Sequence, residues 1–188
     1  MRKIIVSEFV SLDGIMEGPG PDDPFKYAGW TMPYVDETFL RFKHDELFAC
    51  DTLLLGRLTY EGFAKAWPLQ KDEQGFADRM NNMPKYVVST SLDEAPWNNT
   101  YLIKDDVVGQ LRALKEDPGR DILVAGSGVL VELLMHHNLV DEYRLLVYPV
   151  VLGAGKRLFK DGVKTTLELI NTDTFDTGVV LMRYKPAV

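Results

Sequence analysis

The feature that most constrains the fold is an apolar segment at residues 121–126 (DILVAG), which meets a predicted helix at 128–137 after a single residue, Ser127. A strand with hardly any polar residues is typical of the middle of a parallel sheet, where both faces are covered. Parallel strands need long crossover connections, which are usually helices. The segment therefore predicts an α/β fold built on a mostly parallel sheet.

Other segments with the composition of strands and helices alternate along the chain. Strands are predicted at 3–10, 52–56, 85–90, 142–151, 166–174 and 179–185, and helices at 34–50, from about Thr59 onward, and at 105–116. Asp176, Thr177 and Gly178 form a turn that joins the last two strands, and the dense Gly and Pro at 14–33 predict a long loop. We expect one domain, 1–188: a mixed, mostly parallel central sheet with helices on both faces and a C-terminal antiparallel hairpin.

Charge and composition exclude several classes of function. The net charge of -7 opposes an extended nucleic-acid surface, which needs clustered Lys and Arg. The single cysteine, Cys50, allows neither an internal disulfide nor a thiolate cluster, and His, Cys and carboxylates show no metal-ligand spacing. With no apolar segment of membrane-spanning length, we expect a cytoplasmic protein without metal, nucleic-acid or membrane partners.

The turn between the apolar strand and the helix, Gly126, Ser127 and Gly128, is a candidate phosphate site. The start of a helix exposes unpaired amides and the positive end of the dipole, and glycine lets an anion approach the backbone. The same glycines also fit a turn that is merely tight, and the turn alone favours neither interpretation.

A second candidate turn follows the strand at 52–56, where Gly56 and Arg57 precede Thr59. Arginine presents a planar fork of donors that suits phosphate oxygens, and contact with the 2′-phosphate of NADP would favour NADPH over NADH. The alternative is an exposed arginine after a strand, with Thr59 capping a helix. Ser89 and Thr90 follow a third strand, where they either offer hydroxyls to an adenosine group or begin a loop.

Several spaced segments together resemble the dihydrofolate reductase superfamily, and within it the C-terminal reductase domain of the bifunctional riboflavin-biosynthesis deaminase/reductase. The matching segments are SLDG at 11–14, LLLGRLTYEGF at 53–63, KYVVSTSL at 85–92, ILVAGSGVLVELL at 122–134 and LVDEYRLLVYPVVLGAGKRLF at 139–159. The resemblance covers nearly the whole chain and implies a three-layer, dihydrofolate-reductase-like fold.

The resemblance also implies the cofactor NADPH and a set of contacts. Gly56, Arg57 and Thr59 would meet the adenosine phosphate end of the cofactor, with Ser89 and Thr90 nearby. The pyrophosphate would lie on Gly126, Ser127, Gly128, Val129 and Leu130. The resemblance further implies a homodimer.

The nicotinamide would lie near the first strand and its loop, around 10–16, with the substrate below Trp30. Asp13 is the leading candidate for a catalytic proton-relay or substrate contact, with Gly14 and Trp30 as further substrate contacts. Asp13 and Gly14 also fit a plain turn, and Trp30 also fits an anchor for the loop.

The function that we expect is NADPH-dependent reduction of a small heterocyclic or ribosyl substrate, nearest to 5-amino-6-(5-phosphoribosylamino)uracil. This chain has TYEGFAKAWP where those reductases carry an acidic-Asn-Pro segment, so the substrate stays open. Reduction of dihydrofolate or another pterin is an alternative, favoured if an acid of the 34–49 helix, such as Asp36 or Glu37, faces the pocket. A protein that binds NADP(H) or senses a ligand without turnover is another.

Overall fold

A computed structural model describes residues 1–162 and 164–187; Val188, the last residue of the predicted domain, lies outside that range. The strands are β1 (Ile4–Ser11), β2 (Cys50–Gly56), β3 (Lys85–Val88), β4 (Thr100–Ile103), β5 (Asp121–Val124), β6 (Glu142–Tyr148), β7 (Leu167–Thr174) and β8 (Val180–Pro186). They form one sheet in the order β4-β3-β2-β5-β1-β6-β8-β7. Parallel pairing joins strands β1 through β6, and β8 runs antiparallel to both of its neighbours, β6 and β7.

Five α-helices cover the two faces of the sheet and make three layers. They are α1 (Glu37–Ala49), α2 (Arg57–Ala66), α3 (Phe76–Asn82), α4 (Val107–Glu116) and α5 (Gly128–His136). Buried residues of α4 and α5 pack on one face, and buried residues of α1, α2 and α3 pack on the other. None of these helices is both long and apolar enough to cross a bilayer. The predicted mixed, mostly parallel sheet with helices on both faces and a C-terminal hairpin is confirmed.

The central strand β1 shows how alternation sorts its side chains. Ile4, Val6 and Val10 lie in the cluster under α4 and α5, whereas Ile5 and Phe9 pack on the α1 side. Side chains alternate between the faces of a strand, so Glu8 projects into the α5 side together with Val6 and Val10. A carboxyl therefore lies inside an apolar layer.

Two elements lie in segments for which no element was predicted. Helix α3 is only seven residues long, and its first amides bond to Asp72 Oδ1 and Oδ2. Strand β4 has four residues, of which Ile103 alone is buried, so its alternation is weak.

Some predicted bounds were wrong. Strand β6 ends at Tyr148, because Pro149 has no amide hydrogen for the ladder. The second helix begins at Arg57 and not at Thr59. The predicted loop at 14–33 contains bends, turns, an isolated β-bridge from Ile15 to Arg157 and the start of a 3-10 helix at Met32–Tyr34.

Candidate functional site

The two glycine turns predicted from the sequence lie against each other at the carboxyl ends of β2 and β5, which are neighbours in the sheet. The amide of Gly56 donates to the carbonyl of Gly126 across 3.1 Å. A Cβ atom on Gly56 would lie 2.2 Å from Ser127 Oγ, and one on Gly126 would lie 2.6 Å from Thr59 Oγ1. The contact therefore needs glycine on both sides. The peptide bond between Gly126 and Ser127 is cis.

The helices that begin at these turns differ from the others in how they start. The carboxylates of Asp36, Asp72 and Asp106 accept hydrogen bonds from backbone amides in the first turns of α1, α3 and α4, respectively. Helices α2 and α5 have no side-chain cap and no acidic residue in the first turn. Among the five α-helices of the described residues, the two that keep a positive, uncapped start are the two that meet. Such a pair suits an anionic group.

Arg57 is the first residue of α2 and stands beside this pair of helix starts. Its side chain is 42% exposed, and its guanidinium lies 3.1 Å from the carboxylate of Glu61, one turn further along α2. An exposed i,i+4 pair is worth only about 0.3–0.5 kcal/mol, so a phosphate can displace Glu61 at little cost.

Leu130 and Val129 follow the glycine turn but face different surroundings. The side chain of Leu130 is buried in the core under α5, so only its backbone amide is open to a ligand role. Val129 is exposed, as is Leu58 after Arg57, and the two apolar side chains border the paired helix starts.

Ser89 and Thr90 follow β3, one strand beyond β2. The Ser89 hydroxyl oxygen accepts the amides of Ser91 and Leu92 at 3.2 and 3.1 Å, so it shapes the turn after β3. Thr90 is exposed. The loop that Ser89 organises lies on the same edge of the sheet as the two glycine turns.

The carboxylate of Asp13 is engaged by the protein itself. It accepts the Ser11 hydroxyl at 2.6 Å and the amides of Leu152 and Gly153 at 3.1 and 2.8 Å. The hydrogen bond from Ser11, helped by the two amides, lowers the pKa of Asp13 to about 2. Asp13 is therefore ionised at neutral pH and holds no proton to donate. Its geometry is that of a clamp between the end of β1 and the 152–153 turn.

Gly14 and Trp30 belong to the same region. Gly14 has φ +83, a left-handed conformation suited to glycine, and Arg157 donates to the carbonyl of Asp13 beside it. Trp30 Nε1 donates to the carbonyl of Glu17 at 2.8 Å, and its ring packs edge-on against Tyr148. Trp30 thus anchors the loop at 14–33 and also lines a surface depression of about 470 Å³. The remaining lining residues are Tyr27, Ala28, Val150, Val151 and Leu152.

The acids of α1, including the exposed Glu37, are not among the residues that line this depression. Asp36 caps its own helix by accepting the amide of Phe39. Glu46 is buried and bonded to Ser7, Lys43 and Arg144. Burial alone would raise the pKa of Glu46, but the two cations outweigh burial and lower it.

Glu8 is a candidate residue that the sequence analysis did not select. Its side chain is 6% exposed, and its Oε1 has no hydrogen-bond partner in the described part of the chain. Burial raises the pKa of Glu8 to about 8, against the opposing effects of Lys43 and the Gly126 amide. Val6 pairs with Val124, so Glu8 lies level with Gly126. An acid at a buried position of the alternating strand was the signal that could have identified it.

A larger depression of about 510 Å³, lined by Ala64, Pro68 and Trp97 among others, lies elsewhere. Asn98, which also lines it, bonds through its carbonyl to Lys85, the first residue of β3. This depression is therefore at the amino end of the strands, away from the glycine turns.

Similar folds occur in solved structures. A candidate riboflavin biosynthesis protein from Shewanella sp. PV-4 has a TM-score of 0.73 and 21% identity, covering 99% of both chains. Dihydrofolate reductase from Enterococcus faecalis, complexed with NADP(H), has a TM-score of 0.64 and 13% identity, covering 99% of this chain and 97% of that one. The Thermotoga maritima diaminohydroxyphosphoribosylaminopyrimidine deaminase/5-amino-6-(5-phosphoribosylamino)uracil reductase has a TM-score of 0.65 and 19% identity, covering 99% of this chain and 57% of that one. These likenesses confirm the dihydrofolate-reductase-like fold.

Sequence comparison defines the family. YyaP of Bacillus subtilis strain 168, an uncharacterized protein, is 34% identical over 187 residues, covering 97% of this chain and 94% of YyaP. The RibD C-terminal domain family matches residues 2–181. With nearly the whole chain matched, the protein belongs to the RibD C-terminal domain family.

Proposed function

We propose that this protein is an NADPH-dependent reductase that acts on a small heterocyclic or ribosyl substrate. The observation that carries the proposal is the contact between the uncapped starts of α2 and α5, with Arg57 beside them. In open α/β sheets, ligands bind outside the carboxyl ends of the strands, where this pair of helix starts lies. Membership of a family of reductase domains supports the same activity.

The residues of the two turns fit a phosphorylated dinucleotide. The amides of Gly128, Val129 and Leu130 would hold the pyrophosphate at the start of α5, and Arg57 would hold the 2′-phosphate. Gly56 and Thr59 keep the second turn close to Ser127 and Gly126. Ser89 and Thr90 would border the adenosine. When bound, NADPH supplies the hydride.

The substrate would lie beside the end of β1, in the depression under Trp30. Its volume of about 470 Å³ is within the range of small-molecule sites, roughly 300–1,000 Å³. Asp13 would act here by holding Leu152, a lining residue, in place, with Gly14 completing the turn. The substrate that we propose first is 5-amino-6-(5-phosphoribosylamino)uracil, the compound in the name of the Thermotoga neighbour.

The site favours this substrate class over a pterin. A pterin site of the dihydrofolate reductase kind uses an acid on the first helix. Here no acid of that helix is among the residues that line the depression, and Asp36 and Glu46 are engaged within the protein. The second candidate is a protein that binds NADP(H) without turnover. The ionised state of Asp13 favours it, because the leading candidate for a proton donor is not one.

One experiment separates these functions. The purified protein is mixed with NADPH, and loss of NADPH absorbance is followed with 5-amino-6-(5-phosphoribosylamino)uracil, dihydrofolate and other pterins as substrates. Binding is measured in parallel by NADPH fluorescence. Oxidation with the ribosylaminopyrimidine alone supports the proposal. Binding without oxidation by any substrate supports the non-catalytic alternative, and absence of binding refutes both.

We also propose a homodimer formed through β7. This strand is at the edge of the sheet, seven of its eight residues are exposed, and Leu169 and Ile170 are 52% and 49% exposed. A long, open edge strand with apolar side chains is a surface that proteins normally cover. A second copy, applied about a two-fold axis, would cover it. The single, buried Cys50 fits the cytoplasmic location that we propose.

A further inference from the structure

Glu8 occupies an unusual position for a carboxyl. It projects from the middle of the sheet into the layer that contains Val6, Val10, Leu130 and Val131, and the last two belong to the first half of α5. The neighbouring Ser7 projects to the other face, where it bonds to Glu46 and Lys43. Those two partners are therefore separated from Glu8 by the sheet. On its own side Glu8 is surrounded by these apolar side chains and lies under the turn at Gly126, whose amide bonds to the carboxyl.

A carboxyl oxygen buried without a partner is costly, because it loses its hydrogen bonds to water. The Gly126 amide bonds to the Glu8 carboxyl and lowers its pKa, against the effect of burial. Oε1 of Glu8 has lost those bonds and gained none in the described residues. Buried polar groups of this kind concentrate at functional sites, where a ligand supplies the missing partner. The position of Glu8 beside the turn that we assign to the pyrophosphate points to the same ligand.

We propose that the carboxyl of Glu8 binds the cofactor directly, by hydrogen bonding to the carboxamide of the nicotinamide. This inference rests on the proposed function, since it requires that NADPH bind at the carboxyl ends of β1 and β5. It extends that function by naming a side chain that recognises the reacting end of the cofactor.

The chemistry of the two groups is complementary. A carboxylic acid has one O–H donor and one carbonyl acceptor, and a primary carboxamide has N–H donors and one carbonyl acceptor. The two can share a pair of hydrogen bonds only while the acid keeps its proton. Burial keeps the proton on Glu8 at neutral pH, where the pKa of about 8 makes the neutral form the major one.

The charged groups on the surrounding elements do not reverse the protonated state of Glu8. Lys43 favours the ionised form of Glu8 and Glu46 opposes it, both acting from α1 through the sheet. Charged groups on the elements near the α5 side are bonded elsewhere: Glu132 to Lys160, Lys156 to Glu17, and Arg157 to the carbonyl of Asp13.

The test compares wild type with Glu8→Gln and Glu8→Leu. Gln keeps a neutral donor and acceptor but does not titrate, and Leu removes both while fitting an apolar layer. NADPH affinity is measured by fluorescence titration across a pH series. We expect Glu8→Leu to weaken binding about five- to tenfold at neutral pH, as for loss of neutral hydrogen bonds. Wild-type affinity should fall as pH rises through about 8, and Glu8→Gln should show no such fall.

Two further measurements make the result specific. Infrared difference spectra should show a protonated carboxyl in wild type that is absent in Glu8→Gln and shifts when NADPH is added. The acetylpyridine analogue of NADPH lacks the amide N–H group, so Glu8→Leu should weaken binding of this analogue less than it weakens binding of NADPH. Thermal unfolding of each variant confirms that it is folded.

The outcomes distinguish this inference from the proposed function. If wild type binds NADPH and Glu8→Leu binds it equally well, or if Glu8→Gln has the same pH dependence as wild type, the role of Glu8 is overturned while the reductase proposal stands. If wild type does not bind NADPH, both are overturned. An unchanged infrared carboxyl band on NADPH binding would also overturn the contact.

Discussion

Arg57 provides the sharpest test of the cofactor site, because its effect should appear with one nicotinamide nucleotide and not with the other. The guanidinium stands at the first position of α2, next to the contact between Gly56 and Gly126. If it meets the 2′-phosphate, then Arg57→Ala should weaken NADPH and leave NADH, which lacks that phosphate, almost unchanged.

The size of the effect follows from the exposure of Arg57. Hydrogen bonds to charged groups contribute about 1.5–3 kcal/mol, and the lower half of that range applies because the side chain is 42% exposed and screened by solvent. A loss of about 1.5–2 kcal/mol corresponds to roughly 10- to 30-fold weaker NADPH binding. Releasing Arg57 from its ion pair by Glu61→Gln should strengthen NADPH binding about twofold, from the 0.3–0.5 kcal/mol of such a pair.

The assay is fluorescence titration of wild type, Arg57→Ala and Glu61→Gln with NADPH and with NADH. Arg112→Ala, an exposed arginine on α4, controls for the loss of one positive charge. Repeating the titrations at high salt should reduce the difference between wild type and Arg57→Ala. Contact between Arg57 and the 2′-phosphate is excluded if Arg57→Ala leaves the ratio of NADPH to NADH affinity unchanged, or if Arg112→Ala changes that ratio equally.

Three other predictions concern the turn, the clamp and the dimer. Gly56→Ala would place a Cβ 2.2 Å from Ser127 Oγ, so it should lower the free energy of unfolding by about 1–3 kcal/mol and weaken NADPH binding. Gly62→Ala, which has open space around it in the following helix α2, should be neutral or stabilising; chemical unfolding checks both. Asp13 has a lowered pKa, so the stability it adds is complete above about pH 4 and is lost as pH falls towards 2. The free energy of unfolding of wild type should exceed that of Asp13→Asn by about 1 kcal/mol, after allowing for solvent screening, and this difference should disappear as pH falls towards 2. Chemical unfolding at a series of pH values measures it, and a difference that does not depend on pH would contradict the clamp. Leu169→Lys on the exposed edge strand should produce monomers in light scattering, and an unchanged mass would exclude this edge as the interface.

Local patterns in the sequence were sufficient to predict the sheet and the two turns. The apolar run of β5 and the glycines that follow it are adjacent in the chain, so they identify a strand, a turn and a helix without any tertiary information. The elements without such patterns were missed. In α3, seven residues span less than two helical turns, and the helix depends on Asp72, four residues before Phe76, which is its first residue.

The role of Asp13 required information that no local pattern contains. Its carboxylate bonds to Leu152 and Gly153, 139 and 140 residues further along the chain. In sequence, Asp13 and Gly14 look like any turn, and equally like the edge of an active site. The folded structure brings the 152–153 turn against Asp13, where two backbone amides donate hydrogen bonds to the carboxylate and favour its ionised form.

Glu8 is the opposite case, because the alternation of side chains along β1 could have identified it from the sequence. In β1 the charged residue interrupts an apolar run, which suggests a solvent-facing position. However, residues two apart on a strand share a face, and Val6 and Val10 on either side of Glu8 belong to the core. Parallel strands with helices on both faces have no solvent-facing side, so a charged residue in the middle of such a strand must be paired, neutral or bound to a ligand. In the described residues Oε1 has no partner, and burial favours the neutral acid. The cofactor contact that we propose for Glu8 would give this oxygen a partner, and it would explain a carboxyl at a position where a leucine would avoid the cost of desolvation.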